Sequence, residues 1–148
     1  MENRLITYPK LLVFFQFSTI FLMVLNSNGF LHSFLGVSIF IIGLLIGIWA
    51  IRHNKLGNFN IQPKMKENAK LITTGIYAYI RHPMYLSVII MMLGFLVSSF
   101  SLSNLSLFIF LVLVLYLKAK KEEAIWCDCT EKYIEYKSKT KLILPFIL

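Results

Sequence analysis

The residues best suited to chemistry lie in one stretch, Lys70 to Tyr85, which reads Lys-Leu-Ile-Thr-Thr-Gly-Ile-Tyr-Ala-Tyr-Ile-Arg-His-Pro-Met-Tyr. Thr73-Thr74-Gly75 has turn composition, with glycine supplying a permissive backbone position. Pro83 suits the first turn of a helix, where its missing N–H would be unpaired anyway. His82 then falls at or just before a helix N-terminus, whose free N–H groups attract anions. Arg81 and His82 would strengthen that attraction. A plainer reading makes both residues interfacial anchors that reach toward lipid headgroups, and Arg81 fits either reading. His82 favours a site role, because it is locked to Pro83 and flanked by Tyr77 and Tyr85. Pro83 and Tyr85 by themselves are compatible with a helix start and a belt aromatic.

A second chemically equipped segment begins Lys118-Ala119-Lys120-Lys121-Glu122-Glu123. Helical spacing puts Glu122, Trp126, Cys129, Tyr133 and Tyr136 on one stripe. An aromatic stripe headed by a carboxylate describes an amphipathic helix lying on a membrane. It equally describes the wall of a site, while the adjacent acids among many lysines fit simple ion pairing. Cys127 and Cys129 form an isolated C-x-C without nearby Cys or His, which is poor support for zinc. They read as ordinary thiols, and no metal site is expected.

The elements that must carry these segments are hydrophobic. The chain has 148 residues, 57% of them hydrophobic and 15% charged, against about 25% charged in a soluble domain. Soluble, disordered and nucleic-acid-binding classes are thereby excluded. Apolar runs cover Tyr8–Leu25, Phe30–Ile51, Met84–Phe100 and Leu102–Leu117, near the roughly 17–25 residues that a span requires. Residues Ser98, Ser99, Ser101, Ser103 and Asn104 break the last two runs, which predicts a helical hairpin over 84–117. The expected fold is an all-α polytopic membrane protein of about four transmembrane helices. Residues 1–148 form a single domain, with two N-terminal membrane helices in 1–51 and a core in 52–148.

Of the 15 Lys and Arg residues, Arg4 and Lys10 lie before or at the start of the first run, and the others lie between the second and third runs or follow the fourth. The positive-inside rule then places both termini and the central loop in the cytoplasm. The net charge of +8 is therefore mostly topology rather than a polyanion-binding footprint. Gly36, Gly43 and Gly47 give the second run a small-residue stripe, which lets helices approach closely in lipid. A packing face within the chain is expected there, with a dimer contact as the other option. The first two runs carry little polarity beyond Gln16, Ser18 and Thr19.

Taken together, the ordered features resemble the isoprenylcysteine carboxyl methyltransferase family of integral membrane methyltransferases. They are Asn58-Phe59-Asn60 with Gln62, Leu71-Ile72-Thr73-Thr74-Gly75-Ile76-Tyr77, Arg81-His82-Pro83-Met84-Tyr85, Gly94, Glu122-Glu123, Tyr133, Tyr136 and Pro145. The match covers about residues 58–148. The resemblance implies an S-adenosylmethionine cofactor at the cytoplasmic face, held at Gln62, Ala69, Lys70, Leu71, Ile72, Tyr77, His82, Pro83, Met84, Tyr85 and Glu122. The family's substrate-binding arginine falls on Lys118. The acceptor it implies is a lipophilic small molecule, with the carboxylate of an isoprenylcysteine-like compound as the type. The chemistry is consistent with these residue types. Glu122 could pair with the cofactor's ammonium, His82 could hold its carboxylate, and Tyr77 and Tyr85 offer aromatic faces to its adenine or sulfonium. An acceptor carboxylate is already ionised near neutral pH, so no general base and no catalytic nucleophile is expected.

Three departures bear on this. Lys118 cannot make the two-pronged grip of an arginine. Cys127-Asp128-Cys129 stands where the family has a Phe-Gly pair, and Ala69 can contribute only its backbone. Two other readings are compatible with parts of the pattern. One is an NADPH-dependent membrane reductase of the sterol-reductase type, against which the short cytosolic segments count. The other is a non-enzymatic membrane packing subunit.

Overall fold

The computed structural model describes residues 2–54 and 71–143. Among these residues five α-helices follow one another: α1 (Glu2–Leu25), α2 (Phe34–Asn54), α3 (Pro83–Ser98), α4 (Leu102–Cys129) and α5 (Glu131–Lys139). Short 3-10 turns occupy Phe30–His32 and Gly75–Ala78. No strand occurs among the described residues, as the all-α expectation requires. A parallel bridge joins Ile80 to Lys141. Helices α2 and α4 are long and apolar enough to cross a membrane, while Pro9–Leu25 and α3 are shorter apolar helices.

Local chemistry sets the helix limits. α2 begins at Phe34 rather than at Phe30, where the apolar run starts. Gly29 adopts φ +77°, a left-handed conformation that favours glycine, and Phe30–His32 coil into the tighter turn. Ser33 Oγ then accepts from Gly36 N at 3.1 Å, satisfying one of the free N–H groups at the start of α2. Phe30 itself stacks on Phe95, with centroids 4.1 Å apart. The hydroxyl-rich break does separate α3 from α4. Ser101 caps α4 by accepting from Asn104 N, and Asn104 Nδ2 donates to Ser99 O at 2.7 Å. At its other end α4 passes through its first lysines without interruption and stops at Cys129. Its length is roughly 42 Å at 1.5 Å per residue, against a hydrocarbon core of about 30 Å. The charged last turns continue one rigid rod.

The two hairpin arms pack mainly on other helices: α3 on α2, and α4 on α1. The glycine stripe of α2 faces α3 within the chain. A Cβ built at Gly36 would lie 2.7 Å from Gly94 O, and one at Gly43 would lie 2.7 Å from Met91 N. Gly94 answers from the other side, where a Cβ would meet Gly36 O at 2.5 Å. Ser87 Oγ donates to Gly43 O at 2.8 Å across the same contact. Lipid tails are as apolar as leucine, so such close van der Waals packing and interhelical hydrogen bonds hold the pair together. On α1, Leu12, Gln16, Thr19 and Met23 are buried, at helical steps of four, three and four. Phe14, Phe17 and Phe21 face outward.

Candidate active site

The Gly75–Ala78 turn begins the site. Gly75 has φ +62°, and a Cβ there would lie 2.5 Å from His53 Nε2. The imidazole at the end of α2 therefore occupies the space that only glycine leaves open. His53 Nε2 also shares a hydrogen bond with Thr74 Oγ1 at 3.0 Å. This ties the loop to α2 and sends Tyr77 and Ile80 inward. Arg81 N donates to Lys141 O at 2.8 Å, and His82 N donates to Leu142 O at 3.0 Å. The chain entering α3 is thus held by the backbone of the C-terminal segment. His82 is the N-cap of α3 and Pro83 occupies its first turn. The imidazole does not cap the helix; it turns toward α4.

Adjacent acids on α4 divide the work. Glu122 Oε2 lies 3.4 Å from His82 Nδ1, and Glu122 Oε1 accepts from the Tyr85 hydroxyl at 2.5 Å. Glu123 pairs instead with the Arg81 guanidinium, and Lys137 Nζ approaches its second oxygen at 3.2 Å. Arg81 further donates to the carbonyls of Lys137 and Thr140. Its side chain is 8% exposed and that of Glu123 2%. Arg81 is therefore a buried clamp joining α3, α4 and the end of α5, and it does not reach for headgroups. Of the two acids, the ion-pairing reading describes Glu123, while Glu122 stands with the imidazole and the phenol. The His82 and Tyr85 rings are parallel within 3° at 5.3 Å between centroids. His82 Nε2 is buried and has no hydrogen-bond partner among the described residues.

Tyr85 also receives Lys118, whose ammonium sits 5.1 Å from the ring centroid. Lys118 is 2% exposed and donates to Gln16 Oε1 at 2.6 Å. Spacing of four residues puts Lys118 and Glu122 on the same face of α4. Sequence reading grouped Gln16 with minor polarity in the first helix. A lone amide in the otherwise largely apolar stripe Leu12–Gln16–Thr19–Met23 was the available signal, because a buried polar group requires a partner.

The outer wall comes from α5. The stripe expected to run unbroken from Glu122 to Tyr136 is interrupted, since α4 ends at Cys129 and Thr130 is extended. The turn folds Tyr133 back on Trp126, with centroids 5.7 Å apart, and brings the Tyr136 hydroxyl to Tyr77 O at 2.6 Å. Burial pushes the Tyr77 phenol up to about 12, opposed by a hydrogen bond with Asn54 and reinforced by the negative charge of Glu122. Burial raises Tyr133 and Tyr136 as well, each partly offset by Arg81. These phenols are neutral hydrogen-bonding groups across the ordinary pH range.

Of the residues singled out from sequence, the structure gathers Tyr77, His82, Tyr85, Lys118 and Glu122 at one end of the bundle. Pro83 is buried, and Leu71, Ile72 and Met84 are half-buried beside them, with Ile72 and Met84 against the apolar core. Gln62, Ala69 and Lys70 lie outside the described residues. A family model described as phospholipid methyltransferase matches residues 31–128. The chain belongs to the phospholipid methyltransferase family. That family includes the isoprenylcysteine-type membrane enzymes the sequence resembles. Membership, with the two long apolar helices, makes the chain a membrane protein of a methyltransferase family. The matched span takes in α2, the hairpin, Lys118 and Glu122. Gln16 and α5 fall outside it. No curated protein matches the chain.

Proposed function

We propose that the chain transfers a methyl group from S-adenosylmethionine to the carboxylate of a lipophilic acceptor. The reaction belongs at the charged end of a four-span bundle, facing the cytoplasm with both termini. The observation that carries this reading is the His82–Tyr85–Glu122 cluster with a buried, unpartnered His82 Nε2, on a chain of a methyltransferase family. A buried ring nitrogen without a partner among the described residues is a hydrogen-bonding group that a ligand could satisfy. Beside it stands a carboxylate that is 20% exposed.

These groups fit a ligand that carries both an ammonium and a carboxylate. Glu122, oriented by the Tyr85 hydroxyl and His82 Nδ1, would take the ammonium. An N–H at His82 Nε2 would donate to the ligand carboxylate. Tyr77 and the Tyr85 ring would line the aromatic side, with Pro83, Met84, Leu71 and Ile72 adjoining and Gln62, Ala69 and Lys70 completing the set by family likeness. When bound, the cofactor supplies an electrophilic methyl on sulfonium, which passes to the acceptor oxygen while the S–C electron pair stays on sulfur. Lys118, one turn before Glu122, is the residue on this face that would hold the acceptor. A carboxylate needs no deprotonation at neutral pH, so the residues serve by orienting both partners and excluding water.

Calorimetric titration of detergent-purified protein tests the reading. S-adenosylmethionine and S-adenosylhomocysteine should bind and NADPH should not. His82→Ala should weaken both about tenfold or more, the worth of one charge-assisted hydrogen bond. Binding of NADPH alone refutes the proposal, and no binding of any of the three leaves a packing subunit.

A further inference from the structure

A lysine that is 2% exposed, seated in a largely apolar helix, is expensive unless something uses its charge. Among the described residues no carboxylate lies within ion-pair distance of Lys118. Its neighbour Glu122 is already engaged by Tyr85 and His82. Lys118 holds Gln16 by its carbonyl oxygen only, and the Gln16 amide nitrogen has no partner among the described residues. Gln16 is itself 8% exposed. Two sets of hydrogen-bond donors therefore stand side by side where α1 meets α4, with N–H groups to spare on each. Their surroundings are greasy. Phe15 packs edge-on against Phe110 across the same seam at 5.7 Å, and Phe14 and Phe17 face outward beside it.

We propose that Gln16 is a specificity residue for the acceptor: with Lys118 it forms a two-donor grip for the anionic head of a lipid-like molecule lying along the α1–α4 seam. This rests on the methyl-transfer reading above and adds to it a residue from outside the family-matched span. The Gln16–Lys118 bond fixes which way each group points. The carbonyl end of Gln16 takes one ammonium N–H, which leaves the amide N–H2 and the remaining ammonium protons as the donors of the pair. Both then donate, so a carboxylate is held and an amine headgroup is repelled. Against a lipid background such bonds face little competition from water, which makes the grip selective for charge.

The alternative role for the pair is a plain tether between α1 and α4. Gln16→Glu separates the two. A carboxylate at this position would tie Lys118 more strongly, so a tether would be kept or improved, whereas an anion grip would be cancelled. The probes are N-acetyl-S-farnesylcysteine and oleate, each against its methyl ester, titrated by thermophoresis into detergent-purified protein saturated with S-adenosylhomocysteine. Wild type should prefer each acid over its ester by about tenfold or more. Gln16→Glu and Gln16→Leu should abolish the preference while binding S-adenosylhomocysteine as wild type does. Equal or absent binding of acid and ester by wild type, or an undiminished preference in Gln16→Glu, overturns the inference. Failure of wild type to bind S-adenosylhomocysteine would instead strike at the methyl-transfer reading itself.

Discussion

Glu122 and Glu123 are neighbours in the chain, yet exchanging each for glutamine should damage different properties. Glutamine at 122 keeps one acceptor oxygen for the Tyr85 hydroxyl, so the fold loses little. What it removes is the negative charge proposed to meet the cofactor's ammonium. A hydrogen bond to a charged group contributes ~1.5–3 kcal/mol. The Glu122 side chain is 20% exposed, which argues for the lower half of that range. Glu122→Gln should therefore weaken S-adenosylhomocysteine binding about 10- to 40-fold, with the thermal midpoint nearly unchanged. Glu123→Gln strands the Arg81 guanidinium, whose side chain is 8% exposed. Removing one partner of a buried pair typically costs about 3–5 kcal/mol. The carbonyls of Lys137 and Thr140 still hold Arg81, so about 3 kcal/mol is expected. At roughly 2–4 °C per kcal/mol for a chain this size, the midpoint should fall on the order of 10 °C. Below that midpoint Glu123→Gln should bind the cofactor analogue almost as wild type does. Calorimetric titration and a thermal-shift scan of both variants in one detergent read the two effects. The division of labour is refuted if Glu122→Gln loses stability and keeps affinity, or if the two variants are indistinguishable.

Three other outcomes follow from the packing and the phenols. Gly94→Ala should lower the thermal midpoint by the equivalent of about 1–3 kcal/mol, the usual cost of overpacking, because the new Cβ meets the Gly36 carbonyl oxygen at 2.5 Å; an unshifted midpoint would mean that α2 and α3 do not pack so closely. Tyr136→Phe deletes a buried bond to Tyr77 O and should cost ~1 kcal/mol, read by chemical denaturation. Stability should be level up to about pH 10 and fall above it. The unfolded chain releases phenol protons near ~10, while the folded chain retains that of Tyr77 to about 12, so the unfolded state is favoured as pH rises between them. Tyr77→Phe should flatten that decline in midpoints measured from pH 9 to 11, and an equal slope in the variant would contradict the burial argument.

Much of the architecture is legible in the residue order because it depends on local, one-dimensional quantities. Hydrophobic run length marked the helices, and the Ser98–Asn104 hydroxyls marked the hairpin break, since serine and asparagine bond to nearby backbone wherever the fold places them. Gly36, Gly43 and Gly47 announced a close helix contact by lacking side chains. Gly75 announced a turn by the same absence. The run of Arg81, His82 and Pro83 located the start of α3 through proline's fixed backbone. Helix limits were less visible: Phe30–His32 look apolar enough for α2, but the left-handed Gly29 turns the chain before the helix can begin. Likewise the lysines after Leu117 resemble an ending, yet a helix in water tolerates charge and α4 runs on to Cys129.

Which polar groups meet was a matter for tertiary structure alone. Two consecutive glutamates are identical in sequence terms; the helix turns them about 100° apart, so one faces His82 and Tyr85 while the other faces Arg81 and Lys137. Gln16 and Lys118 are separated by 102 positions, and no spacing rule reaches that far. Chain order carries the period of a helix and the length of a run, because those repeat within a few residues. It does not carry the rotation of one helix against another, and on this protein that rotation decides which buried polar groups meet.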